Sequence, residues 1–166
     1  DADRLEHDIK LFLKDKSGAP EILHFADWET LPYDTFSPHQ DIVSERMRTL
    51  YQLTNEKRCI VIVSAPTLLQ RLPPQEYIIG NSLFLKKGDT LNLSEFREQL
   101  TKSGYHHVDT VYQHGEFAIR GSLLDIYPMG STAALRIELF DDEVETLREF
   151  DTESQRTIRQ IDEIDL

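Results

Sequence analysis

HGEFAIRGSLLDIYP, residues 114–128, sets an arginine and a glycine inside two runs that otherwise read as β-strands. Phe117 and Ile119 alternate with Ala118 and Arg120, so a strand with one buried face puts the Phe and Ile in the core and turns Arg120 outward. Ala118 leaves room beside it, Gly121 suits a bend or bulge, and SLLDIYP reads as the next strand. The alternation is cleanest in ALRIELF, residues 134–140: Leu135, Ile137 and Leu139 face one way, while Ala134, Arg136, Glu138 and Phe140 face the other. If these strands share one core face, Arg120, Arg136, Glu138 and Phe140 lie together on the outer surface of an antiparallel sheet.

Working outward, HVDTVYQ (107–113) and EVETLREF (143–150) add two more short strands. SLFLKKGD (82–89) reads as a strand and turn. NLSEFREQLTKSGY (92–105) reads as a helix with Ser94 as N-cap and Gly104 as its stop. Upstream the grammar differs. Leu5, Ile9, Phe12 and Leu13 recur at helical spacing within residues 2–14, a helix ended by KSGAP, and EILHF (21–25) is a short strand. ADWETLPYDTFSPHQ (26–40) is a loop with aromatic anchors. DIVSERMRTLYQL (41–53) is a helix with Ile42, Val43, Met47, Leu50 and Tyr51 on one side and Asp41 at its positive end. RCIVIVS (58–64) suits a strand covered on both faces, and APTLLQRL (65–72) a helix with Pro66 in its first turn. Strand and helix in alternation predict a parallel α/β layer over residues 1–78, followed by a mostly antiparallel α+β region over residues 79–166.

The chain has 166 residues, 39% of them hydrophobic, and a formal net charge of -12. A surface this acidic repels a phosphate backbone unless a local basic face overrides it. No apolar run approaches the ~20 residues needed to span a bilayer, and no leader pattern opens the chain, so a cytoplasmic protein without membrane contact is expected. The single cysteine, Cys59, sits in CIVIVS, where a buried, unreactive thiol is expected. The chain opens on Asp1 within a helical pattern and stops after RQIDEIDL, which reads as a piece of a longer protein.

Catalytic chemistry finds no residues to carry it. The seven glycines are scattered, and no phosphate-cradling loop followed by Lys and Ser or Thr occurs. Asp141, Asp142, Glu143 and Glu145 fall between two strand-like runs, where a polar hairpin turn is expected in place of a cation site. His106 and His107 are adjacent, so on a strand they point to opposite faces and cannot chelate one metal. No cofactor or metal is expected. The outer face of the sheet is the remaining candidate: arginine and aromatic residues are enriched in binding hot spots, and here they suit a partner's carboxylate and an apolar pocket. Ordinary solvated charges fit the same pattern.

ADWETLPYDTFSPHQD, HGEFAIRGSLLDIYPMGS and LRIELFDDEVETLREFD resemble the N-terminal region of the bacterial transcription-repair coupling factors, a region itself similar to the excision-repair protein UvrB. The resemblance covers essentially the whole chain, and its R-G-x-[LI]-[LI]-D-[IL]-[FY]-P and LFDDE motifs are specific. It implies that residues 1–78 belong to a degenerate helicase-like domain and residues 79–166 to a UvrB-like second domain that binds UvrA. It implies a parent protein that recognises stalled RNA polymerase, displaces it by ATP-driven translocation on double-stranded DNA and recruits UvrA, with ATP and Mg bound by a downstream motor. Carried over singly, the family's UvrA contacts fall on Arg120, Arg136, Glu138 and Phe140. UvrB-type sequences read F-R-V-R-G where this chain reads Phe117-Ala118-Ile119-Arg120-Gly121, one charge fewer. They carry Arg where His107 follows Tyr105, and a long Tyr-rich hairpin where this chain has only ETLPYDTFSPHQD. A non-catalytic adaptor for UvrA is the expected function. The alternative is a nucleotide-dependent helicase half acting directly on DNA, and a further possibility is that another domain of the parent covers the outer face.

Overall fold

The computed structural model describes residues 2–13, 18–30, 35, 37–55, 58–80 and 84–165. It divides into two compact units, Asp1–Ile79 and Gly80–Leu166. The first unit contains α1 (Ala2–Leu13), β1 (Glu21–Phe25), α2 (Gln40–Asn55), β2 (Cys59–Val63), the single turn α3 (Ala65–Leu68) and the start of α4 (Gln75–Gly80). β1 and β2 pair in parallel from Glu21↔Cys59 to Phe25↔Val63, so among the described residues the parallel layer consists of two strands.

Burial in this unit departs from the sequence pattern. β2 was expected to be covered on both faces, yet only Ile62 is buried in it and Cys59 is partly exposed. On α2 the buried residues are Ser44, Arg46 and Thr49, while Ile42, Val43, Met47, Leu50 and Tyr51 are only half-buried. The cause is a polar attachment. Thr49 Oγ1 donates to the His24 carbonyl at 2.9 Å, and Arg46 Nη1 donates to the Ala26 carbonyl at 2.5 Å. The Arg46 guanidinium stacks 4.1 Å from the Phe25 ring centre and 3.9 Å from that of Trp28, and burial lowers its pKa. Trp28 is thus an aromatic anchor, while Leu31, Pro32, Tyr33, Asp34 and Phe36 of the same loop lie outside the described residues. α3 stops after one turn instead of running to Leu72, since Pro73 and Pro74 disfavour helix before them.

The second unit adds β3 (Phe84–Lys86), α5 (Leu93–Lys102), β4 (His106–His107), β5 (Glu116–Arg120), β6 (Leu123–Ile126), β7 (Ala134–Phe140), β8 (Glu143–Phe150), β9 (Thr157–Ile161) and β10 (Glu163–Asp165). Six of these strands form one sheet in the order β4-β5-β6-β7-β8-β9, antiparallel throughout except for the parallel β4–β5 edge. β10 pairs antiparallel with β3. HVDTVYQ is mostly loop, with only His107 in a strand: the Glu116 carboxylate accepts from the Tyr112 and Gln113 backbone N–H groups at 2.8 and 2.9 Å, replacing a ladder, and Val111 is fully buried. α5 is capped by Asn92, not Ser94. Its Oδ1 accepts from Ser94 N at 3.0 Å and Glu95 N at 3.2 Å, which puts Ser94 inside the helix.

The main core is one face of the sheet, where Phe117, Leu124, Ile137 and Leu147 pack with Leu85 and with Leu100 of α5. The opposite face is not open along its whole length. Ala118 and Ala134, expected to face outward, are buried with Val111 and Phe150 in a second apolar cluster. The room beside Ala118 is therefore filled, and the exposed outer face begins past that cluster.

Candidate functional site

The β5–β6 hairpin sets the geometry. Arg120 pairs with Leu123, leaving Gly121 and Ser122 as a two-residue loop, and Gly121 sits at φ +63. A tight hairpin of this kind favours glycine at its first loop position, so Gly121 is a turn residue and not a bulge. Residues directly opposite one another in an antiparallel ladder share a face. The register therefore builds two rows across the outer face: Ala118, Asp125, Arg136, Arg148 and Gln160 in one, and Arg120, Leu123, Glu138 and Thr146 in the other.

Asp125 organises the centre. It is 1% exposed and lies between two arginines. Its Oδ1 accepts from Arg136 Nε at 2.7 Å and its Oδ2 from Arg136 Nη2 at 2.9 Å, a bidentate fork, and Oδ2 also accepts from Arg120 Nη2. Arg136 is further held by donation from Nη1 to the Gln155 carbonyl at 3.2 Å and by the Phe150 ring, whose centre lies 4.5 Å from the guanidinium carbon. Hydrogen bonding to Asp125 raises the Arg136 pKa, against the opposing effect of burial. The two arginines differ in access: the Arg136 side chain is 16% exposed and that of Arg120 is 50% exposed. Both charges are thus fixed in place, with Arg120 the one presented to solvent.

Another pair links the two rows. Glu138 Oε2 accepts from Arg148 Nη2 at 2.5 Å and from Thr146 Oγ1 at 3.2 Å. Between Glu138 and Leu139 the register shifts, so that β8 skips Glu145. This β-bulge lets Val144 and Leu147 both reach the core although three residues apart, and it puts Thr146, Arg148 and Phe150 on the outer side. Phe140, at the end of β7, is 70% exposed. Beside it a groove of about 550 Å³ is lined by Lys87, Gly88, Glu143, Val144 and Glu145. Bonds from Gly88 N to the Val144 carbonyl at 2.9 Å and from Val144 N to the Asp89 carbonyl at 2.8 Å hold its walls together. Asp141 and Asp142 are the two loop residues of the β7–β8 hairpin, with Asp141 at φ +54.

The four residues singled out from the sequence thus come to one face of β5–β8, but with partners that pattern reading missed. Asp125 leaves a trace, an acid between Leu124 and Ile126, because a carboxylate inside an apolar run signals a buried cation partner. Arg148 leaves none, since its placement depends on the bulge. His107 lies on β4, its ring 5.1 Å from that of Phe117. Tyr105, whose hydroxyl accepts from Met129 N at 3.0 Å, has a pKa raised by burial. Among the described residues, no cluster of three His, Cys, Asp or Glu side chains is arranged to hold a metal ion.

Residues 83–166, which contain the whole sheet and its outer face, match the UvrB interaction domain. The chain belongs to this family. It is also similar to full-length proteins named transcription-repair-coupling factor: 51% identical over 145 residues to that of Escherichia coli, covering 87% of the chain and 13% of the relative. Identity is 49% over 149 residues with the Haemophilus influenzae protein, covering 90% and 13% of the two chains. It is 35% over 167 residues with a Staphylococcus aureus protein, covering 99% and 14%. The chain therefore spans about a seventh or an eighth of the length of these relatives. The UvrB interaction domain here is a mixed helix and sheet unit whose main sheet is mostly antiparallel, and no helix among the described residues is long and apolar enough to cross a membrane.

Proposed function

We propose that this chain is a non-catalytic docking module that binds UvrA and so recruits it to a transcription-repair coupling factor at sites of DNA damage. The observation that carries this reading is the juxtaposition, on one outer face of a UvrB interaction domain, of a solvent-presented Arg120, an immobilised Arg136 and an exposed Phe140 in a chain of net charge -12. A pre-fixed guanidinium recognises a carboxylate with little entropy left to lose, and an exposed aromatic beside a groove offers an apolar anchor. In this reading Arg120, Arg136, Glu138 and Phe140 form the UvrA-facing surface, residues 79–166 are the UvrA-binding domain, and residues 1–78 are a degenerate helicase-like layer. The parallel β1–β2 pair flanked by helices supports the last assignment. Action on RNA polymerase and double-stranded DNA, ATP hydrolysis with Mg, and a cytoplasmic setting belong to the parent protein in the same reading.

Calorimetric titration of the chain against purified UvrA, and separately against ATP with Mg²⁺, tests the proposal. Binding to UvrA without heat from ATP is expected. Nucleotide binding with no UvrA complex would overturn it in favour of a helicase half.

A further inference from the structure

Three guanidinium groups stand on the outer face, not two. Arg136 and Arg148 lie directly opposite each other on β7 and β8. Like charges at that spacing repel, and a sheet under no other demand avoids them. Here each is offset by a carboxylate from a neighbouring strand: Asp125 on β6 for Arg136, and Glu138 on β7 for Arg148. Arg120, Arg136 and Arg148 outnumber Asp125 and Glu138 within this cluster, while Glu143, directly opposite Phe140, and Glu145 add carboxylates at the Phe140 end. The two offsets differ in kind. Asp125 and Arg136 are largely buried and bonded through two nitrogens. The Glu138–Arg148 pair is joined through one Nη, with side chains 40% and 33% exposed. A guanidinium carries five N–H donors, so Arg148 retains donors for a second carboxylate while Glu138 holds its position. Thr146, also bonded to Glu138 Oε2, fixes the carboxylate in turn.

We propose that Arg148 is a third cationic contact of the docking surface, taking a carboxylate of the partner, and that Glu138 acts mainly by holding Arg148 in place. This rests on the UvrA-docking reading above and extends it: the partner presents an acidic surface broad enough to span β5 to β8, not a single acid opposite Arg120. The bulge that skips Glu145 belongs to the same device, since it puts Arg148 on the outer side.

Affinity of the chain for purified UvrA is measured for Arg148→Ala, Glu138→Gln and the double variant, with Arg120→Ala and Phe140→Ala as reference variants and thermal melting of each as a fold control. Arg148→Ala is expected to weaken binding about tenfold with its melting nearly unchanged, and Glu138→Gln to weaken it less. In the Arg148→Ala background, Glu138→Gln is expected to have no further effect, the coupling that a positioning role requires. If Arg120→Ala and Phe140→Ala weaken binding while Arg148→Ala does not, or if Glu138→Gln weakens it equally with and without Arg148, this inference is overturned and the docking reading stands. If no variant changes the affinity, both are overturned.

Discussion

At the scale of single residues, the outer face depends on one buried carboxylate. Asp125 neutralises Arg136 in a site where neither charge meets much water. Removing one partner of such a pair leaves the other uncompensated, so Asp125→Asn is expected to lower unfolding stability by about 3 kcal/mol. Arg120→Ala, which deletes a half-exposed group, should cost less than about 1 kcal/mol. Urea unfolding monitored by circular dichroism separates the two, and equal losses would mean that Arg120 carries as much of the packing as Asp125 does. Outward orientation of Arg120, Arg136 and Phe140 was legible from strand alternation, because the period of two depends only on backbone pleating. That Arg136 is pinned by Phe150 and the Gln155 carbonyl was not, since both come from sequence-distant chain brought near by β8 and the loop after it.

At the scale of elements, the turns and caps determine which residues meet. Gly121 at φ +63 closes the hairpin that brings Arg120 to Asp125, and an added Cβ would find open space but an unfavourable backbone. Gly121→Ala is therefore expected to cost about 1 kcal/mol through backbone strain alone, read as a lowered urea midpoint with an unchanged slope. Asn92→Ala should cost about 1 kcal/mol by uncapping α5, while Ser94→Ala, at the position that sequence spacing suggested for the cap, should cost little. Equal losses from the two would contradict the observed cap. β7 was readable from its apolar period of two, and β8 as a strand, but the spacing of three between Val144 and Leu147 hid its bulge and its outer face. β9 and β10 were not readable: RTIRQIDEID carries too few apolar residues to announce itself, and of β9 only Ile161 packs against the core. Its one neighbour is β8, and charges are what an edge strand of this kind tolerates. α2 misled for the opposite reason, since its buried face is made of Ser44, Arg46 and Thr49, which a count of apolar residues assigns to solvent.

For the whole molecule the decisive contrast is between global and local charge. A chain at -12 should repel an acidic partner, yet Arg120, Arg136 and Arg148 cluster with only Asp125 and Glu138 among them, and an exposed Phe140 stands at the end of the same strand as Arg136, opposite Glu143. Docking through this face predicts that affinity for UvrA falls as salt rises from low to physiological ionic strength, because the distance beyond which exposed charges are screened shrinks to about 10 Å. An affinity flat with salt would leave the arginines without a role. The most direct measurement is the calorimetric affinity of the folded Arg120→Ala/Phe140→Ala double variant for UvrA. Losing a charged contact and an aromatic anchor together should weaken the complex by at least about thirtyfold, the equivalent of roughly 2 kcal/mol. An affinity equal to that of the unaltered chain would contradict the assignment of this face as the docking surface.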